Sequence, residues 1–212
     1  MKNRFMVALV VLAMAGVLFA EEEKKDDRGI GVRGAFGFSG VNGGEWRELT
    51  YDYTGDYKNP DAGFTFGGGL FKIVSLDAIN LNLGANFMYR NTVSVSAQGM
   101  SIDVTEMAIE VPILTRFSLT DQVYLEAGPQ VNIILGDPKI SVFGSGQSYE
   151  GTFEDDGLER SSPEFGITVG AGFVINEKIS ADVRYFYGLS DYEKKYAKGT
   201  AYTIQLGINY NL

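Results

Sequence analysis

Eight stretches of the chain alternate apolar and polar side chains at period two, and few folds can use that many in succession. They cover residues 29–38, 62–71, 79–90, 102–118, 123–134, 164–175, 179–189 and 201–212. The connections between them are long and short by turns. Residues 39–61, 91–101, 135–163 and 190–200 are long, whereas short links such as "LTDQ" and "NEK" occupy the other side. Strands joined in this way predict an all-β fold, an eight-stranded antiparallel up-and-down barrel over residues 29–212, with both termini on the short-turn side. Eight is the bottom of the range for transmembrane β-barrels.

Alternation alone does not say which face meets solvent, because a soluble lipocalin-like binding barrel alternates too. Three features favour a membrane outside. First, the lysines beyond residue 20 lie in the N-terminal tail, loops or turns, outside the alternating stretches. Second, the charged strand positions are instead Arg33, Arg90, Arg116 and Arg184 against Glu106, Glu110, Glu126 and Asp182. A balanced, arginine-based set suits a confined lumen, because guanidinium pairs with carboxylate in fixed geometry. Arg90 is expected near Glu106, and Arg116 near Glu126. Third, aromatic residues mark two interfacial girdles. Phe36, Phe38, Phe64, Phe87, Tyr89, Phe165, Tyr187 and Tyr202 lie towards the long connections, and Phe117, Phe173 and Tyr210 towards the short turns.

The N-terminal "MKNRFMVALVVLAMAGVLFA" combines Lys2 and Arg4 with an apolar run too short to span a bilayer, as expected of a secretory signal peptide over residues 1–20. Residues 21–28 would then be a periplasmic tail. Removing the leader leaves 16 basic residues against 27 acidic ones, a net charge of −11 that argues against nucleic acid as a partner. The chain has no cysteine and no histidine. Disulfides, thiolate metal sites and Ser-His or Cys-His catalysis are thereby excluded. Gly29, Gly31 and Gly34 spell G-x-G-x-x-G, the dinucleotide fingerprint, but a charge run precedes them where that fold requires a buried strand. No cofactor is expected, and the glycines read as residues of a strand.

Other candidate sites each have a plainer reading. Glu106, Glu110 and Glu126 could form a carboxylate cluster of the glycosidase or cation-binding kind, but neutralisation of lumen arginines accounts for them better. Glu154, Asp155, Asp156 and Glu159 lack the spacing of a calcium loop and read as a solvated acidic segment. In the first long connection, Trp46, Tyr51, Tyr53 and Tyr57 are candidates either for surface recognition or for packing the loop upon itself.

The terminal "AYTIQLGINYNL" resembles the signal read by the barrel assembly machinery. The segment "IEVPILTRFSLTDQVYLEAGPQV" is similar to the central hairpin of PorT-like domains. On these segments the chain resembles the small outer-membrane β-barrels of the OmpA/OmpX and PorT-like group. The chain departs from many members in ending on Leu212 rather than Phe or Trp. The resemblance implies residence in the outer membrane, assembly from the periplasm and lipid as the surrounding medium. The expected role is structural or surface-interacting, carried by the long loops of a monomer, with an unidentified extracellular ligand. A narrow channel or a secretion accessory is the alternative.

Overall fold

The computed structural model describes residues 29–55, 59–76, 79–97, 99–144, 147–155, 157–194 and 198–212. The expected signal peptide, the tail up to Arg28, Tyr57 and Asp156 lie outside these residues. The elements are β1 (Ile30–Asn42), α1 (Gly44–Thr54), β2 (Gly63–Leu76), β3 (Ile79–Ala97), β4 (Met100–Ser118), β5 (Val123–Gly144), β6 (Gln147–Thr152), β7 (Glu164–Val174), β8 (Ile179–Gly188) and β9 (Thr200–Asn211). Eight of the strands form a closed antiparallel ring in the order β1-β2-β3-β4-β5-β7-β8-β9. Twelve register pairs between β1 and β9 close it, so the wall has no free edge. Strand β6 stands outside the ring and pairs only with the distal part of β5 among the described residues.

Burial follows the two-residue period of the strands. In β9, Thr203, Gln205, Gly207 and Asn209 are buried while Ile204, Leu206, Ile208 and Tyr210 are exposed. The same phase holds in β1, β7 and β8. Polar residues therefore occupy the inside and large apolar ones the outside, Phe36 being 61% and Phe38 59% exposed. An apolar belt running round the whole wall could not remain in water without aggregating. This phase rules out the lipocalin-type alternative, whose apolar face lines the cavity.

The interior is filled by matching large side chains to glycine. A Cβ at Gly31 would lie 2.2 Å from the Phe71 ring, and one at Gly172 would lie 2.1 Å from the Tyr124 ring. Phe71 and Tyr124 thus fill the short-turn end of the lumen in the space two glycines vacate.

Three of the long connections differ from the sequence expectation. Residues 91–101 are not a loop but the ends of β3 and β4, which continue as a hairpin beyond the barrel. Residues 135–163 include the distal half of β5 and all of β6, and residues 39–61 include α1. Two of the lysines also lie in strands, Lys72 in β2 and Lys139 in β5. For the strand extensions the physical reason is an inversion of phase. Beyond the lumen the inward face turns apolar, with Val93, Val104 and Ile140 buried, and the outward face carries Ser94, Ser96, Asp103 and Ser141. A register shift between Asn91 and Val93 produces the switch in β3. In water the apolar side must point inward, whereas in lipid it points outward. These extensions and α1 form a crown over one end of the barrel. Val41, Trp46, Val93, Val104, Ile140, Phe153, Tyr192 and Ala201 form its core.

Candidate functional site

Charged side chains of the inward face gather in two layers. The lower begins with Arg33 of β1, which donates from Nη2 to Asp182 Oδ1 at 2.7 Å and from Nε to Oδ2 at 3.3 Å. Asp182 also accepts from Asn209 Nδ2 at 2.7 Å and lies 3.4 Å from Arg184 Nε. Arg184 donates to Glu126 Oε1 at 2.6 Å, and Arg116 to Glu126 Oε2 at 3.2 Å. The guanidinium of Arg116 stacks 3.8 Å above the Tyr124 ring. Five ionised groups from four strands thus make one chain, each buried. Exposed ion pairs stabilise little, but a buried charge without its partner costs several kcal/mol.

The upper layer is a ring of two arginines and two glutamates. Arg90 Nη2 lies 2.6 Å from Glu106 Oε1, and Arg90 Nη1 lies 3.3 Å from Glu164 Oε2. Arg160 donates to Glu106 from Nε at 2.8 Å and from Nη2 at 3.2 Å, and to Glu164 Oε1 at 3.0 Å. Between the layers Glu110 makes no ion pair among the described residues. Gln205 links it to the lower chain, donating from Nε2 to both Glu110 oxygens at 3.1 Å while its Oε1 accepts from Arg33 at 3.1 Å. The lower chain holds three cations and two anions, so Glu110 supplies the missing negative charge through that amide. Gln130 and Asn132 complete the middle: Thr168 donates to Gln130, Gln130 to Asn132, and Asn132 to Glu164.

The structure places Arg90 on Glu106 and Arg116 on Glu126, and it brings Arg33, Asp182 and Arg184 into the same chain as Glu126. It does not gather Glu106, Glu110 and Glu126 into one carboxylate cluster. Glu106 belongs to the upper layer, Glu126 to the lower, and Glu110 lies between them on its amide. Sequence reasoning missed Arg160 and Glu164. Glu164 was accessible to it, because it shares inward parity with Gly166, Thr168 and Gly170 of β7. Arg160 was not, because it precedes β7 and enters the lumen from a connection.

Arg160 joins the lumen to the crown. Its guanidinium stacks 3.8 Å over the Tyr192 ring, and its Nη1 donates to the Tyr192 carbonyl at 3.0 Å. Trp46 of α1 and Phe153 meet the same ring edge-on, with centroids at 5.7 and 6.2 Å. Trp46 is therefore buried in the crown core, not available for surface recognition, whereas Tyr51 on the same helix is 54% exposed. Tyr53 also lies on α1. Burial, reinforced by the Glu106 carboxylate, pushes the Tyr192 hydroxyl well above the ordinary tyrosine range, so it stays protonated. It lies 2.5 Å from Thr92 Oγ1. Tyr192→Phe keeps the stacking and removes this bond, so the urea midpoint of the protein in micelles should fall by the equivalent of about 1 kcal/mol.

The acidic segment is occupied with its own turn. Asp155 accepts from the Thr152 amide and hydroxyl, the Glu154 amide donates to Asp137, and Glu159 lies 2.7 Å from Lys194. Among the described residues no group of three His, Cys, Asp or Glu side chains is placed to hold a metal. No described helix is long and apolar enough to cross a membrane, which says nothing about strands.

The aromatic residues expected in the girdles fall on the outer face. Phe64, Phe87, Phe117, Phe165, Phe173, Tyr187 and Tyr210 are exposed with Phe36 and Phe38, and Tyr89 and Tyr202 are half-buried. Phe66, stacked on Phe64 and tilted against Tyr89, extends the upper group.

Comparison with known proteins agrees with this architecture. No curated protein matches the sequence. Among solved structures the chain is similar to Neisserial surface protein A, with a TM-score of 0.51 at 9% identity over 86% of this chain and 97% of that one. It is also similar to Ail, the attachment invasion locus protein of Yersinia pestis, at 16% identity and a TM-score of 0.42 over 86% and 96% of the two chains. The model of one family, described as the outer membrane protein beta-barrel domain, matches residues 19–193. With a closed ring, an apolar outside and a polar inside, the chain belongs to the outer membrane protein beta-barrel domain family, and the outer membrane is its location.

Proposed function

We propose that this protein is a closed, non-enzymatic outer-membrane barrel whose role is exercised at the cell surface by the crown. The observation that carries the reading is the charge balance of the lumen. Five buried guanidinium groups (Arg33, Arg90, Arg116, Arg160, Arg184) balance five buried carboxylates (Glu106, Glu110, Glu126, Glu164, Asp182), with ion pairs between adjacent strands such as Arg90–Glu106 and across two or three strands such as Arg184–Glu126 and Arg90–Glu164. Eight strands leave an interior that side chains can fill, and paired charges bridging it oppose the passage of ions. The short turns then face the periplasm, with export directed by a cleaved signal over residues 1–20 and insertion by the barrel assembly machinery reading β9. Lipid covers the wall, and the protein acts as a monomer.

The crown supports a surface role because it has a packed core of its own and so presents a fixed outer face. Tyr51 of α1 and Phe143 of β5, 54% and 59% exposed, are large side chains left at that face. Orientation can be tested cleanly because the chain contains no cysteine. On intact cells a membrane-impermeant maleimide should label Tyr51→Cys and Phe143→Cys but spare Asp121→Cys in the short turn until the outer membrane is permeabilised. The opposite pattern would refute the assignment of the crown to the surface.

A further inference from the structure

A groove of about 560 Å³ indents the outer wall across β7, β8 and β9, and it is lined almost wholly by apolar side chains. Its floor follows from two small residues on a diagonal. Ala171 pairs with Val183 and Ala181 with Phe173, while on the other side Ala181 pairs with Ile208. Leu206 and Ile208 form one flank, Phe173 and Val183 the other, and Phe36 borders the groove beside Leu206. On β1 and β2 the rungs above are filled by phenylalanine pairs, Phe36 with Phe66 and Phe38 with Phe64, whereas the rung level with Ile208 continues into Gly34 and Gly68.

The groove is directed towards the short-turn end of the barrel. Below Ile208 the next outward residue of β9 is Tyr210, paired with Ile179, and the ammonium of Lys178 sits 5.7 Å from the Tyr210 ring centroid. From Leu206 to Tyr210 is four residues, roughly 14 Å of strand. An apolar trough of that length, ending at an aromatic ring and an exposed cation at headgroup level, matches one acyl chain attached to a phosphate. We propose that it is a binding site for a phospholipid of the periplasmic leaflet, with a chain along Ala171 and Ala181 and the phosphate on Lys178. Charge favours this occupant over a second barrel. A two-fold contact through the groove would bring two Lys178 side chains near one another, whereas a phospholipid brings the complementary charge.

The test is native mass spectrometry of the protein in micelles, titrated with phosphatidylglycerol, after gel mobility has established that each variant is folded. The wild type should retain one lipid. Ala171→Leu/Ala181→Leu, which fills the floor, should lose at least tenfold in retention, and the single Ala181→Leu serves if the pair does not fold. Lys178→Gln should weaken phosphatidylglycerol binding about fivefold, and Ala85→Leu on the far wall should behave as wild type. Equal retention by the wild type and the filled variant would overturn the site, as would a wild-type dimer that the filling abolishes. Unchanged binding by Lys178→Gln would overturn the headgroup assignment.

Discussion

Replacing Glu126 by alanine should destabilise the barrel by about 3–5 kcal/mol, the cost of leaving buried charges without their partner. Glu126 is 1% exposed and holds Arg184 at 2.6 Å, Arg116 at 3.2 Å and the Asn82 amide at 3.1 Å. Among the described residues its loss strips Arg116 of its salt bridge and leaves Arg184 the longer contact with Asp182. Glu126→Gln keeps the shape and should cost less. The double variant Glu126→Ala/Arg184→Ala should cost less than the sum of the single ones, since each removes a charge the other leaves unpaired. Urea titration in micelles, followed by the mobility difference between folded and unfolded protein, measures all of these. A Glu126→Ala barrel as stable as wild type would mean that the lower chain contributes nothing to the fold.

Gly69→Ala should be nearly as damaging by a different mechanism. A Cβ there would stand 1.8 Å from the carbonyl oxygen of Ala85 and 2.6 Å from Asn86 Cα, both backbone atoms of the neighbouring strand. No side-chain rotation can relieve that contact, so β2 and β3 must separate, at a cost of about 3 kcal/mol or more. Gly34→Ala is the matched control. Its Cβ would meet nothing within 4 Å, and the residue faces outward. Its stability should stay within about 0.5 kcal/mol of wild type. The contrast also answers the G-x-G-x-x-G spacing. The third glycine of that motif has no tight neighbour and the second, Gly31, is crowded by the Phe71 side chain, while the tightest backbone crowding falls on glycines such as Gly37 and Gly69 that the motif does not contain.

The wall of the barrel was legible because a strand between lipid and a packed lumen must alternate at every residue. The stretch 201–212, for example, differs from β9 by one residue at each end. The crown was harder to read for a physical reason. In "TVSVSA" and "SIDVTE" the alternation persists, but its apolar face points inward because the surroundings have changed from lipid to water. A reading that fixes apolar as outward takes the first for a loop, whereas the second lies almost wholly within the expected stretch 102–118 with its facing unassigned. The charge network was legible wherever both partners sat on strands of inward parity, as for Arg90 with Glu106 across β3 and β4. It was not legible for Arg160, whose position depends on how a connection folds back into the mouth, nor for Gln205, whose bridging of Arg33 and Glu110 is a matter of reach across the lumen. Trp46 lacked a signal of the same kind: Tyr192, the ring it meets, is 146 residues further along the chain.

The central claim is a lumen closed by paired charges, and the most direct measurement is the conductance of the purified wild-type protein in a planar bilayer. The wild-type protein should give no current steps above the bare membrane across the usual range of voltage and salt. Replacing Arg90, Glu106, Arg160 and Glu164 together by alanine should bring steps into view, because it empties the upper layer without changing net charge. A stable open channel in the wild-type protein would contradict the account.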